Sequence, residues 1–237
     1  MSLGVILAWA TEAFERGLIT KKETMGVRLK WGHVKGYIRA GGYIIDQPND
    51  FYRALARGVE YAASVYGGME FALAFGGNEM PGYHTGPGAH LGYLIGARHS
   101  HLDNAGYSFD QKVLVKKRLK PEETIDALLA EERWRQILSS LVVCFFARGI
   151  YTPELVTRLL SIGGIDLSAG DLDRIGRKIH AEKYRFKMRE GFALDTVRLP
   201  ERIFETPSPV SGLDRAYLTK ALSYAHKTIE KEFDAAP

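Results

Sequence analysis

Apolar residues recur at helical spacing along most of the chain. Leu3, Leu7, Ala10 and Phe14 share one face of a helix expected over residues 3–16, and Gly17 is placed to end it. Thr20 and Glu23 have capping-box spacing, with Gly26 allowing only a short turn after them. Gly41 and Gly42 read as a turn. Asn49 and Asp50 then open a segment in which Phe51, Leu55, Val59, Ala62, Ala63 and Tyr66 repeat at helical spacing until Gly67 and Gly68 stop it. Residues 75–107 carry too many glycines for a regular surface helix, and only 89–100 keeps helical character.

Beyond that stretch the helical signals return. Pro121 sits in the first turn of a long segment running through Ile125, Leu128, Leu129 and Trp134 toward Phe146. Thr152 and Pro153 start another, with Leu155, Leu159 and Ile162 as its apolar face. Ser168 and Asp171 cap a helix carrying Leu172, Ile175 and Ile179, and a last helix is expected over residues 213–233. Strand signals are short and weak. The pattern therefore predicts an all-α, multihelical protein of two packed helical domains, 1–110 and 111–237, divided near the charged, proline-containing stretch at 106–121.

Composition narrows the class. With 237 residues, 46% hydrophobic and 25% charged, the chain can bury a sizeable core. No run approaches the roughly 18 apolar residues of a membrane span, and Glu12, Glu15 and Arg16 break up the N-terminal apolar pattern, so a cytoplasmic protein with no membrane partner is expected. The net charge of +4 is spread among alternating acidic and basic residues, which reads as a solvated surface and not a nucleic-acid interface. One basic run, Lys116, Lys117, Arg118 and Lys120, is either a docking patch or a solvated turn.

Candidate chemistry concentrates in residues 77–101, where glycines allow close backbone approach and four of the seven histidines fall: His84, His90, His99 and His101. A zinc site from His84, His90 and one of the other two would need the fold to bring them together; buried, hydrogen-bonded histidines are the plainer reading. The one cysteine, Cys144, lies in the apolar run Ser139 to Ala147 and reads as a small hydrophobe in the core. A single cysteine makes neither a disulfide nor a cysteine metal site by itself.

Several segments, in order, resemble the second and third domains of the tungsten-containing aldehyde ferredoxin oxidoreductase family. They are Leu7 to Thr20, Leu29 to Gly32, Asp50 to Tyr66 with Leu55, Gly58 and Val59, Met80 to Tyr83, and Gly92 to His99. The most specific are Lys187-Met-Arg-Glu-Gly-Phe192 and Leu199-Pro-Glu-Arg-Ile-Phe204, which resemble the family's Arg-Glu-Gly-Phe and Leu-Pro-Glu-Arg motifs. The resemblance implies a reaction in which an aldehyde and water give a carboxylate, with electrons passing to ferredoxin through a 4Fe–4S cluster beside a tungsten bis-molybdopterin. It implies His99 as the catalytic histidine and Cys144 as a cluster thiolate. The family's other three cluster cysteines lie upstream of the matched region, and Ser139 stands where its second signature has Asp. Expected partners are therefore an absent N-terminal domain or subunit and ferredoxin, with homo-oligomerisation left open. Alone, the chain is expected to hold neither cofactor; a helical binding or assembly module that kept the fold is the competing reading.

Overall fold

The computed structural model describes residues 2–235, with side chains through Glu232. Helices dominate: α1 (Ser2–Glu15), α2 (Val34–Asp46), α3 (Asp50–Ala56), α4 (Val59–Tyr66), α5 (Pro87–Ile95), α6 (His101–Asn104), α7 (Gly106–Phe109), α8 (Pro121–Ser140), α9 (Pro153–Ile162), α10 (Ala169–Arg189), α11 (Arg202–Glu205) and α12 (Arg215–Ala235). The described strands are β1 (Ala74–Phe75) and β2 (Asn78–Glu79), an antiparallel two-residue pair. The all-α expectation holds.

The chain forms two compact units, Met1–His84 with Val197–Pro207, and Thr85–Thr196 with Ser208–Pro237. The division expected at residues 110 and 111 falls inside the second of these. Its interior there is continuous, because Asp110 is buried and accepts hydrogen bonds from the Gly88 and Ala89 amides at the start of α5.

In the first unit, Trp9, Ala10 and Ala13 of α1 pack with Phe51, Tyr52 and Leu55 of α3 and with Val59, Ala62 and Ala63 of α4. Asn49 caps α3 by accepting from the Tyr52 amide. The helix expected over residues 51–66 is two, since Gly58 takes a φ of 103° and Glu79 Oε1 receives the Val59 amide at 2.9 Å. A second departure concerns Gly41 and Gly42, which lie within α2 and not in a turn. A Cβ at Gly41 would make ordinary contact with Leu3 and one at Gly42 would meet open space, so neither glycine is required by packing. The returning segment is tied down by two arginines: Arg198 donates to the carbonyls of Met69 and Ala72, and Arg202 pairs with Glu12. Thus the arginine of the Leu-Pro-Glu-Arg motif has a structural partner on α1.

The second unit is built around α5, every residue of which is buried. The glycine density makes this packing possible: a Cβ on Gly106 of α7 would lie 2.0 Å from the Gly88 carbonyl oxygen. Helices α8, α10 and α12 pack together beside it, while α9 contributes Val156 to a small cluster with Ile137 and Leu172. Leu159 and Ile162, expected on the apolar face of α9, are exposed. Helix α8 ends at Ser140, short of Phe146, because Val142 adopts a left-handed φ of 57°.

Gly58→Ala places a Cβ 3.0 Å from Glu79 Oε1 in a backbone region that side chains rarely adopt. The expected loss is ~1–3 kcal/mol, read by urea denaturation; unchanged stability would show that the junction between α3 and α4 relaxes freely.

Candidate functional site

The catalytic candidate His99 sits on the turn after α5, with a φ of 53°, and the residue is 5% exposed. A histidine in left-handed backbone needs its surroundings to hold it there. Two buried carboxylates do so. Glu132 of α8 accepts from the Ala97 amide at 2.8 Å and from Asn104 Nδ2 at 3.1 Å. Asp103 of α6 accepts from the amides of Arg98 and Ser100 at 2.9 and 3.0 Å, and from Arg98 Nε at 2.7 Å. Just before the turn, the Tyr184 hydroxyl donates to the Ile95 carbonyl.

The imidazole is fixed at both nitrogens. Nδ1 lies 2.8 Å from the Tyr93 carbonyl, and Nε2 lies 2.9 Å from Lys187 Nζ. Phe192 closes over the pair, its ring centroid 5.4 Å from that of His99 and 3.7 Å from Lys187 Nζ. The Arg-Glu-Gly-Phe motif explains this return: Gly191, at a φ of 89°, ends α10 and the Phe192 amide donates to the Lys187 carbonyl. Burial first, then the Lys187 charge, pushes the His99 pKa down to about 4. Lys187 is itself lowered to about 8, again by burial, against the opposing charges of Glu132 and Asp103.

A charged network supports the floor of the site. His180 of α10 lies 3.6 Å from Glu132 and 3.4 Å from Glu232 of α12, and Glu232 also pairs with Arg133 and Arg177. Burial disfavours the His180 cation, but the flanking carboxylates outweigh it and raise the pKa to about 9. For Asp103, burial and then the Glu132 charge push the carboxyl upward.

Cys144 is placed differently from its expectation as a core residue. It is exposed, between the end of α8 and the single turn Phe145–Ala147. Its neighbours Val142 and Phe146 are 90% and 96% exposed. The apolar run resembled a core segment only because composition does not reveal where α8 stops. Ser139 is exposed on the last turn of that helix. The basic run before α8 is exposed too, with Arg118 paired to Asp214 at 3.4 Å.

Among the described residues, no three His, Cys, Asp or Glu side chains are grouped to hold a metal ion. The zinc reading of the histidine-rich segment therefore gains no support: His84 Nε2 bonds the Thr206 carbonyl, while His90 is buried in α5.

Comparison with known proteins gives the family. The family model for Aldehyde ferredoxin oxidoreductase, domains 2 & 3, matches residues 1–228. The chain belongs to the aldehyde ferredoxin oxidoreductase family. It is 25% identical over 224 residues to the tungsten-containing aldehyde ferredoxin oxidoreductase of Pyrococcus horikoshii, and 26% identical over 224 residues to that of Pyrococcus abyssi. Each match covers 88% of this chain and 36% of the relative, so the chain spans about a third of the length of these curated relatives.

Judged as part of an aldehyde ferredoxin oxidoreductase, the residues present do not by themselves fit the expected metal groups. A 4Fe–4S cluster takes four thiolates and this chain has one cysteine. Ser139, where the resemblance implies a carboxylate, is an uncharged, exposed side chain. What the chain does supply is an oriented histidine with a lysine partner. The resemblance nominated His99, and sequence reading assigned nothing to Lys187, Glu132, Asp103 or His180. Of these only Lys187 stood beside a motif; the carboxylates are brought in from other helices with no spacing signal.

Two tests follow from this geometry. Because the folded pKa of His180 is raised above its ordinary value of 6.5, its stabilisation is fully present below pH 6.5 and is lost as pH rises through about 9. Denaturation between those pH values should show a loss of stability that is absent in His180→Gln, a variant less stable at pH 6.5 by ~3–5 kcal/mol because Glu132 is left buried without its cation. Equal pH slopes would refute the clamp. Maleimide should label Cys144 in the native protein, one thiol per chain; labelling that appears only after unfolding would return the residue to the core.

Proposed function

We propose that this chain is the C-terminal portion of a tungstopterin aldehyde:ferredoxin oxidoreductase, cytoplasmic, acting with an N-terminal domain or subunit. The complete enzyme would convert an aldehyde and water to a carboxylate and pass two electrons through a 4Fe–4S cluster to ferredoxin. Support comes from the family match and from the similarity to tungsten-containing aldehyde ferredoxin oxidoreductases, and the observation that carries the reading is the loop around Cys144. Its thiol, Val142 and Phe146 are all exposed, as expected of a cysteine and apolar neighbours that another polypeptide segment covers.

The metal groups supply the oxidation chemistry when the rest of the enzyme is present. This chain's own contribution would be His99, whose ring is locked between the Tyr93 carbonyl and Lys187 Nζ and would handle a proton at Nε2. Neutral imidazole is the state favoured by its burial, so the ring is poised to accept a proton before it donates one.

Metal and sulfide analysis of the chain expressed alone and with a candidate N-terminal half tests the proposal. Tungsten with about four irons per complex in the co-expressed sample alone is the expected result. No metal in either sample would favour a helical binding or assembly module. In the loaded complex, His99→Asn should lower turnover by ~10²–10⁴-fold at unchanged metal content; full turnover would remove His99 from the chemistry.

A further inference from the structure

The Arg-Glu-Gly-Phe motif is preceded by Lys187, which lies one helical turn after Tyr184 on α10. Its Nζ is 2.9 Å from His99 Nε2, 3.7 Å from the centre of the Phe192 ring and 5.0 Å from that of Tyr184. A carbonyl oxygen only accepts, so the 2.8 Å contact with Tyr93 requires the His99 proton to be on Nδ1. Nε2 is then a lone pair facing an amine that, as ammonium, only donates.

From this geometry we infer that Lys187 is the positioning residue for His99: it fixes the Nδ1–H tautomer and keeps the exchangeable proton of the pair on its own Nζ. The inference rests on the reading of His99 as the proton-handling group. Two cations cannot share a 2.9 Å contact in a buried site at low cost, so only one member of the pair is charged. The groups facing the pair decide which. Glu132 of α8 and Asp103 of α6 both favour a charged Lys187, and Glu132 also favours a charged His99. The Tyr184 and Phe192 rings give the ammonium additional cation–π stabilisation. Burial opposes both cations, and the lysine, the stronger base, retains the proton. A proton that reaches His99 Nε2 is thus supplied from Lys187 Nζ: the Nζ–H bond breaks as the Nε2–H bond forms, leaving a neutral amine, and the proton returns to Nζ when the Nε2–H bond breaks.

Nitrogen-15 NMR of the imidazoles in the full chain tests this without turnover, across pH 5–8 in the wild type, Lys187→Met and Lys187→Arg. The wild type should show neutral His99 with its proton on Nδ1 throughout. In Lys187→Met the His99 midpoint should rise by about one unit or more, a roughly tenfold gain in proton affinity, with the His180 signals unmoved. Lys187→Arg should keep it depressed, because the charge is retained. An Nε2–H tautomer in the wild type overturns the inference even if the variants fail to fold, and so does an unchanged His99 midpoint in Lys187→Met. Should the expected titrations be found while the co-expressed enzyme oxidises no aldehyde, the pairing stands and the proposed function falls.

Discussion

Glu132 is a carboxylate with no exposed surface, and the second unit is organised by the need to satisfy it. Burying such a charge costs several kcal/mol even after relaxation, so every element reaching it must supply a donor or a cation. The turn after α5 gives the Ala97 amide, α6 gives Asn104, and α10 gives His180. His180 in turn faces Glu232, linking α12 to the same centre. Hydrogen bonds and opposite charge hold the carboxyl below its ordinary pKa despite burial. The turn after α5, α6 and α10 therefore meet at one side chain on α8, and α12 joins them through His180.

That constraint leads directly to the site. The left-handed backbone of His99 would be disfavoured by itself, but Glu132 holds the residue two before it, and Asp103 holds the amides on either side. With the turn fixed, Nδ1 meets the Tyr93 carbonyl and Nε2 points at α10. The same α10 that delivers His180 to Glu132 delivers Lys187 to His99 two turns later. Support of the backbone and control of the imidazole are two consequences of one helix packing on another. Gly176 allows the approach, since a Cβ there would meet the Arg133 carbonyl oxygen at 2.7 Å.

Local structure was legible wherever a short-range signal decides it. Asn49, Thr152 and Ser168 cap helices as their spacing predicts. Where the deciding contact is distant, the sequence was silent. The junction at Gly58 depends on Glu79, which arrives from β2. His99 was nominated by resemblance alone, and its turn could not be inferred because both supporting carboxylates come from other elements. Lys187 looked like the first residue of a motif; only folding shows that its amine meets the imidazole.

The loop around Cys144 follows a different logic from the rest of the second unit. Burial of one Val, Ile or Phe side chain is worth roughly 1.5–3 kcal/mol, yet Val142, Phe146 and Ile150 all remain largely in solvent. The left-handed Val142 that ends α8 is what turns this run away from the helix bundle. A buried cysteine at this point would be unreachable by thiolates from another segment. Under the proposed function, an exposed one, rimmed by apolar side chains, can be covered together with its neighbours when the remaining cluster ligands arrive. One cysteine leaves this chain short of a cluster site, and under the same proposal the exposure of that cysteine is what lets the site be completed from outside.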